Sequence, residues 1–92
     1  MSFGTYLKGL RTALDFKQSD VAAAADVKPQ YLNKIENDKV APPSEEILIR
    51  LAAALKEDPY MMIVKAGKIP TDFKDIILHN DDAFVYLRNK LK

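Results

Sequence analysis

Apolar residues recur at helical spacing along almost the whole chain. Phe3, Leu7, Leu10 and Leu14 stand four, three and four apart, one stripe on a helix that Ser2 is placed to cap. "QSDVAAA" predicts a second helix from Gln18 to about Ala24, rich in alanine, the best helix former. Pro29 opens a third at its first-turn position, where a missing N–H costs nothing, and the pattern carries it to about Glu36. "NDKVAPPS", the longest breaker-rich segment, reads as an exposed loop. Ser44 then caps a fourth helix with Ile47, Leu48, Leu51 and Leu55 inward and Glu45 and Glu46 near its positive end.

The pattern restarts at "EDPY", with Asp58 as cap, Pro59 in the first turn and a helix from Tyr60 to about Ala66 that Gly67 stops. Thr71 reads as the cap of a short helix through Ile76, Ile77 and Leu78. Asp81 or Asp82 would cap a last one, with Phe84, Leu87 and Leu91 on one side and Arg88, Lys90 and Lys92 toward its negative end. Nothing alternates like a strand and nothing repeats. The expected fold class is all-α, about five helices followed by one or two C-terminal ones. "YMMIV" is too continuously apolar for a helix with one wet side, so residues 60–64 should be covered by residues 71–92 or lie at an interface.

Composition narrows the classes. Ninety-two residues, 48% hydrophobic and 29% charged, suit one globular domain with a single core. No apolar run exceeds five residues, too short for a signal peptide or a membrane span. With no cysteine there are no disulfides or thiolate metal sites, which suits a reducing, cytoplasmic setting. A net charge of +1, evenly spread over both halves, argues against holding nucleic acid by bulk positive charge. Any such binding must come from local geometry. His79, the single histidine, would need several carboxylates to hold zinc, and Asp81 and Asp82 serve better as caps. The three glycines form no phosphate loop or nucleophile elbow. Neither enzyme activity, nor a metal, nor a cofactor is expected.

Residues 18–37, "QSDVAAAADVKPQYLNKIEN", carry the informative constellation. Two short helices joined by a tight turn can cross steeply where the contact is small, as Ala22 permits. Val21, Val27, Leu32 and Ile35 are apolar where the pair would be buried, whereas Gln18, Lys28, Gln30, Asn33 and Lys34 stay polar and outward. This is a helix-turn-helix pattern, whose second helix can enter the major groove.

From Phe3 to Leu55 the chain resembles the phage-repressor-like (Cro/C1, XRE-type) helix-turn-helix domains. The resemblance rests on Gln18, Val21-Ala22, Ala25, Val27, Leu32, Ile35, the closing "IEN", the "PS" before the fourth helix and "LAAAL" within it. It implies a lambda-repressor-like bundle and an ion pair between Arg11 and Glu36 that ties the first and third helices. Three positions depart from the family's pattern. Asp26 stands where glycine usually supplies a left-handed backbone, a conformation Asp tolerates better than most residues. Lys28 replaces the Ser or Thr cap of the third helix, a change typically worth ~1 kcal/mol. Pro29 occupies a position that reads a base in some relatives and offers no polar side chain. The following loop, "DKVAPP", keeps only Lys39 for phosphates, which predicts modest affinity per subunit.

Gln30 and Lys34 lie four apart, on one helix face, and are the expected base readers: Gln bonds adenine bidentately, and Lys donates to guanine. Asn33 could read a base or a phosphate. Gln18, at a positive helix end, and Lys28, Tyr31, Asn37 and Lys39 are expected at the DNA backbone. Residues 1–56 then form the DNA-binding core of a single domain, 1–92, and residues 57–92 a helical extension. Because one such domain usually reads half a site, the extension is expected to build a homodimer through Tyr60, Met61, Phe84, Tyr86, Leu87 and Leu91. The competing expectation is that the last helix folds back to complete a monomer core. The function so read is a transcriptional regulator, a repressor on a palindromic operator. Its rivals are an antitoxin holding a toxin through the C-terminal segment, and an interaction module that has abandoned DNA.

Overall fold

The computed structural model describes residues 1–91 as seven helices, and among the described residues there is no strand. They are α1 (Phe3–Ala13), α2 (Gln18–Ala24), α3 (Pro29–Glu36), α4 (Glu45–Ala54), α5 (Pro59–Lys65), α6 (Thr71–His79) and α7 (Asp81–Lys90). Lys92, expected among the basic residues closing the last helix, lies outside the described residues.

Side-chain caps set most of the starts. The hydroxyl of Ser2 accepts from the Thr5 N–H, that of Ser44 from Ile47, and the carboxylate of Asp58 from Tyr60. Two starts differ from expectation. Thr71 is the first residue of α6 rather than its cap; the cap position is Pro70, which has no polar side chain to offer. The cap of α7 is Asn80, whose side-chain oxygen accepts from Asp82 and Ala83, so both aspartates sit inside the first turn, where the helix dipole favours them.

The first five helices end alike. Asp15, Asp26, Asp38, Lys56 and Gly67 follow α1 to α5 with φ between 57° and 82°, the left-handed conformation of a Schellman stop. After each, the next N–H returns to a carbonyl five residues back, as in Val27 to Ala22 at 2.9 Å and Lys39 to Lys34 at 2.9 Å. Four of these five positions are not glycine, and three are aspartate, the type of residue that bears this geometry at low cost.

The core is one cluster drawn from α1 to α5: Leu7, Val21, Ala22, Ala25, Leu32, Ile35, Leu48, Leu51, Ala52, Leu55, Met62 and Ile63. Alanines at 22, 25 and 52 let short helices approach closely. In α5 the run expected to be apolar all round divides: Met62 and Ile63 enter the core while Tyr60, Met61 and Val64 stay exposed.

Helices α6 and α7 pack on each other, and neither has a buried residue. The last helix does not fold back onto the core. The molecule is accordingly long, 44 × 24 × 22 Å, with a radius of gyration of 15.2 Å. A compact chain of this length would have ~12 Å.

Candidate nucleic-acid interface

The turn between α2 and α3 is closed from inside. Ala25 is fully buried, Asp26 turns the chain at φ 57°, and the Val27 N–H bonds back to Ala22. Arg50 on α4 donates its Nε–H to the Ala25 carbonyl at 2.8 Å, satisfying an acceptor that the end of α2 leaves open. Its Nη1 pairs with Glu46 at 3.0 Å, one turn earlier. Arg50 was not singled out from the sequence; a lone basic residue on an amphipathic helix carries no signal that it reaches another helix's end.

Leu32 and Ile35 fix α3 on its apolar side, and Glu36 fixes its end. The Glu36 side chain is only 1% exposed and receives three hydrogen bonds. Arg11 approaches it bidentately, Nε to Oε2 at 2.7 Å and Nη2 to Oε1 at 2.9 Å, while Nη1 of Arg11 donates to the Phe16 carbonyl at 2.9 Å. The third bond is from Gln18 Nε2 to Glu36 Oε1 at 2.9 Å. Hydrogen bonding to Glu36 raises the Arg11 guanidinium above its ordinary range, against an opposing effect of burial. One buried carboxylate thereby joins α1, α2 and α3.

The N-terminus of α1 rests on the C-terminus of α3. Asp38 accepts the Gly4 N–H at 3.0 Å and the Ser2 hydroxyl at 2.7 Å. The backbones are so close that a Cβ on Gly4 would stand about 2.5 Å from the Ile35 carbonyl oxygen. Like Arg50, Asp38 was not anticipated as a structural tie, since its partners are more than thirty residues away.

On the outer face of α3, Gln30, Asn33 and Lys34 are all exposed. Among the described residues neither Gln30 nor Lys34 spends its side chain on a hydrogen bond or ion pair. Asn33 differs: its Nδ2 donates to Gln18 Oε1 at 3.3 Å. Gln18 is half-buried and bridges Asn33 to Glu36, so in this state it holds α2 against α3. Lys28 is exposed at the start of α3 and makes no side-chain cap bond, as its chemistry requires. Tyr31 is half-buried, packed at the edge of the core. Asn37 turns its side-chain amide back to the Asn33 carbonyl at 2.9 Å, and Lys39 is exposed beyond it.

Tyr60 and Met61 lie on the exposed side of α5, and Phe84, Tyr86, Leu87 and Leu91 lie on or just beyond α7, all exposed. The Tyr60 ring stacks on Phe73 of α6, with centroids 5.2 Å apart. Phe73, Ile76, Ile77, Ala83, Tyr86 and Leu87 line a wholly apolar groove of about 310 Å³ between α6 and α7. Among the described residues no helix is long and apolar enough to cross a membrane, and no three His, Cys, Asp or Glu gather as metal ligands would.

A chain in a solved complex of SinR protein with SinI protein is similar to this one in fold. The TM-score is 0.62 over 96% of this chain and 93% of that chain, at 19% identity. No curated protein matches the sequence. A helix-turn-helix family model matches residues 7–60, spanning both motif helices, α4 and most of α1. The chain belongs to the helix-turn-helix family of Cro/C1 (XRE) type, a family of DNA-binding transcription regulators.

Proposed function

We propose that this protein is a repressor that reads a palindromic operator as a homodimer. The observation that carries the reading is the contrast between the two faces of α3. The inner face is locked by Leu32, Ile35 and the buried Glu36, and the outer one presents Gln30 and Lys34 unengaged. A rigid helix with free amide and ammonium groups one turn apart is what base-edge recognition needs. Asn33 adds a third polar group on that face, at the cost of its bond to Gln18. Lys28, Asn37 and Lys39, flanking the helix, and Tyr31, within it, serve as phosphate contacts, and Gln18 joins them by positioning as much as by contact.

The second copy enters through the C-terminal hairpin. Helices α6 and α7 leave Phe73, Ile76, Phe84, Tyr86, Leu87 and Leu91 between 41% and 70% exposed, a surface that water does not favour. α7 is acidic at its start, with Asp81 and Asp82, and basic at its end, with Arg88 and Lys90. Packed antiparallel on its own copy about a twofold axis, it would set each acidic end against the partner's basic end. Tyr60 and Met61, on α5, would border that contact.

The unpartnered hairpin also supports a second reading, an antitoxin-like regulator whose C-terminal segment holds a different protein. Two experiments test these readings together. Selection of bound sequences from a random duplex library should return an inverted repeat with half-sites about one helical turn, ~34–36 Å, apart. Light scattering at micromolar concentration should give twice the chain mass. A monomer would remove the homodimer, and a library that yields no motif would remove DNA reading.

A further inference from the structure

The hairpin meets the reading head at one small joint. Gly67 ends α5 at φ 82°, Lys68 and Ile69 are exposed, and Pro70 is fully buried. Side chains of α4 and α5 then make four contacts with the start of α6. The Glu45 carboxylate on α4 accepts the Thr71 N–H at 2.9 Å and the Thr71 hydroxyl at 2.8 Å, acting as the cap that Pro70 cannot provide. The Tyr60 hydroxyl donates to Asp72 at 2.6 Å, and its ring stacks on Phe73 within 2° of parallel. Glu45 is thus the one residue of α4 that grips α6 by its first backbone N–H, and it does so from the first turn of the helix that follows the α3–α4 loop.

We infer that Glu45 is a positioning residue that fixes the angle of the dimerising hairpin to the reading head and thereby the half-site spacing the dimer accepts. The inference rests on the homodimer proposed above. A joint at one end of an elongated body acts as a lever. An arm of about 20 Å, roughly half the 44 Å long axis, turned by about 10° moves its far end by about 3.5 Å. That displacement is one base-pair step when ~10 pairs fill ~34 Å. Small slack at Thr71 therefore becomes a whole step at the recognition helix, and two subunits double it. The hydrogen bonds from Thr71, backbone first, lower the Glu45 carboxyl below its ordinary range, consistent with an ionised acceptor at this joint.

The test uses the full chain and duplexes carrying two copies of the selected half-site, separated in one-base-pair increments, beside a duplex with one copy. Wild type should bind one spacing best and lose about tenfold or more two pairs away, because avidity vanishes when geometry forbids simultaneous engagement. Glu45→Ala should bind the single half-site as wild type does, remain dimeric, and lose less than about threefold across the same range. Glu45→Gln, which keeps an oxygen acceptor for Thr71, should restore the wild-type profile. A Glu45→Ala profile as sharp as wild type, with the single half-site bound normally, would overturn this inference alone. A wild-type chain that is dimeric by light scattering but indifferent to spacing would also overturn this inference alone, whereas a wild-type monomer would overturn the dimer reading, and this inference with it.

Discussion

Replacing Arg11 by Ala should be among the most damaging single changes in this chain. Glu36, with its side chain 1% exposed, would keep only the Gln18 bond of its three, leaving a charge buried with one neutral donor. The Phe16 carbonyl would lose its partner as well. Breaking one side of a buried ion pair costs ~3–5 kcal/mol, because the remaining charge is uncompensated. A chain of this size has about 5–14 kcal/mol in total. In urea, with a slope of about 1–3 kcal/mol per molar, the unfolding midpoint should fall by at least ~1 M. The paired change Arg11→Met with Glu36→Leu should recover most of the loss, since apolar residues of similar volume often replace such a pair at little cost. The α2 and α3 helices should then stay packed, although Gln18 loses its acceptor. The reasoning is refuted if Arg11→Ala shifts the midpoint no more than an exposed lysine substitution does, or if the double variant is as unstable as the single.

Gly4→Ala should lower the melting temperature, by an amount equivalent to ~1–3 kcal/mol, because the new methyl would meet the Ile35 and Glu36 carbonyls and Asp38 Oδ1 at 2.5–2.6 Å. Lys56→Gly should raise it slightly. A left-handed φ of 57° costs a side-chain-bearing residue ~1–2 kcal/mol, offset in part by the entropy of glycine and by the lost approach of Lys56 to the Phe16 ring at 5.9 Å. Titration followed by NMR should show Glu45 protonating below the ordinary glutamate range. A carboxyl with its folded value lowered contributes above the unfolded value and loses that contribution as pH falls through the folded one, so the Thr71 amide resonance should move in the same acidic window. Tyr6, raised chiefly by burial and then by its hydroxyl bond to Glu57, should ionise at higher pH than an ordinary tyrosine, as read by phenolate absorbance.

Local chemistry was legible in the sequence, whereas of the tertiary ties only the Arg11–Glu36 pair was expected, and that from the family resemblance rather than from spacing. Ser2, Ser44 and Asp58 announce helix starts because each caps an N–H two or three residues on. Asp26 marks a turn because it stands where the family's pattern has a glycine, and its φ of 57° is the left-handed angle that position needs. The stops at Asp15, Asp38 and Lys56 obey the same geometry, yet an aspartate or lysine after a helix is too common to mark one. The α6 start was misplaced for a different reason: its cap, Glu45, is 26 residues away and on another helix. On α3, the shared exposed face of Gln30 and Lys34 follows from helical spacing, whereas the engagement of Gln18 and Asn33 depends on how α2 crosses α3. The "YMMIV" run looked uniform because Met and Val have similar apolarity, and only packing separates Met62 from Val64.

The central claim is that the exposed face of α3 reads base sequence. The most direct measurement compares affinities of wild type and Gln30→Ala for a library-selected duplex and a random duplex over a salt series. Wild type should prefer the selected duplex by a factor within ~10³–10⁷ at physiological salt. Gln30→Ala should weaken that duplex alone, by a factor corresponding to about 1–3 kcal/mol, and leave random binding and its salt slope in place. Equal, weak binding of both duplexes by wild type, or equal weakening of both by Gln30→Ala, would contradict it.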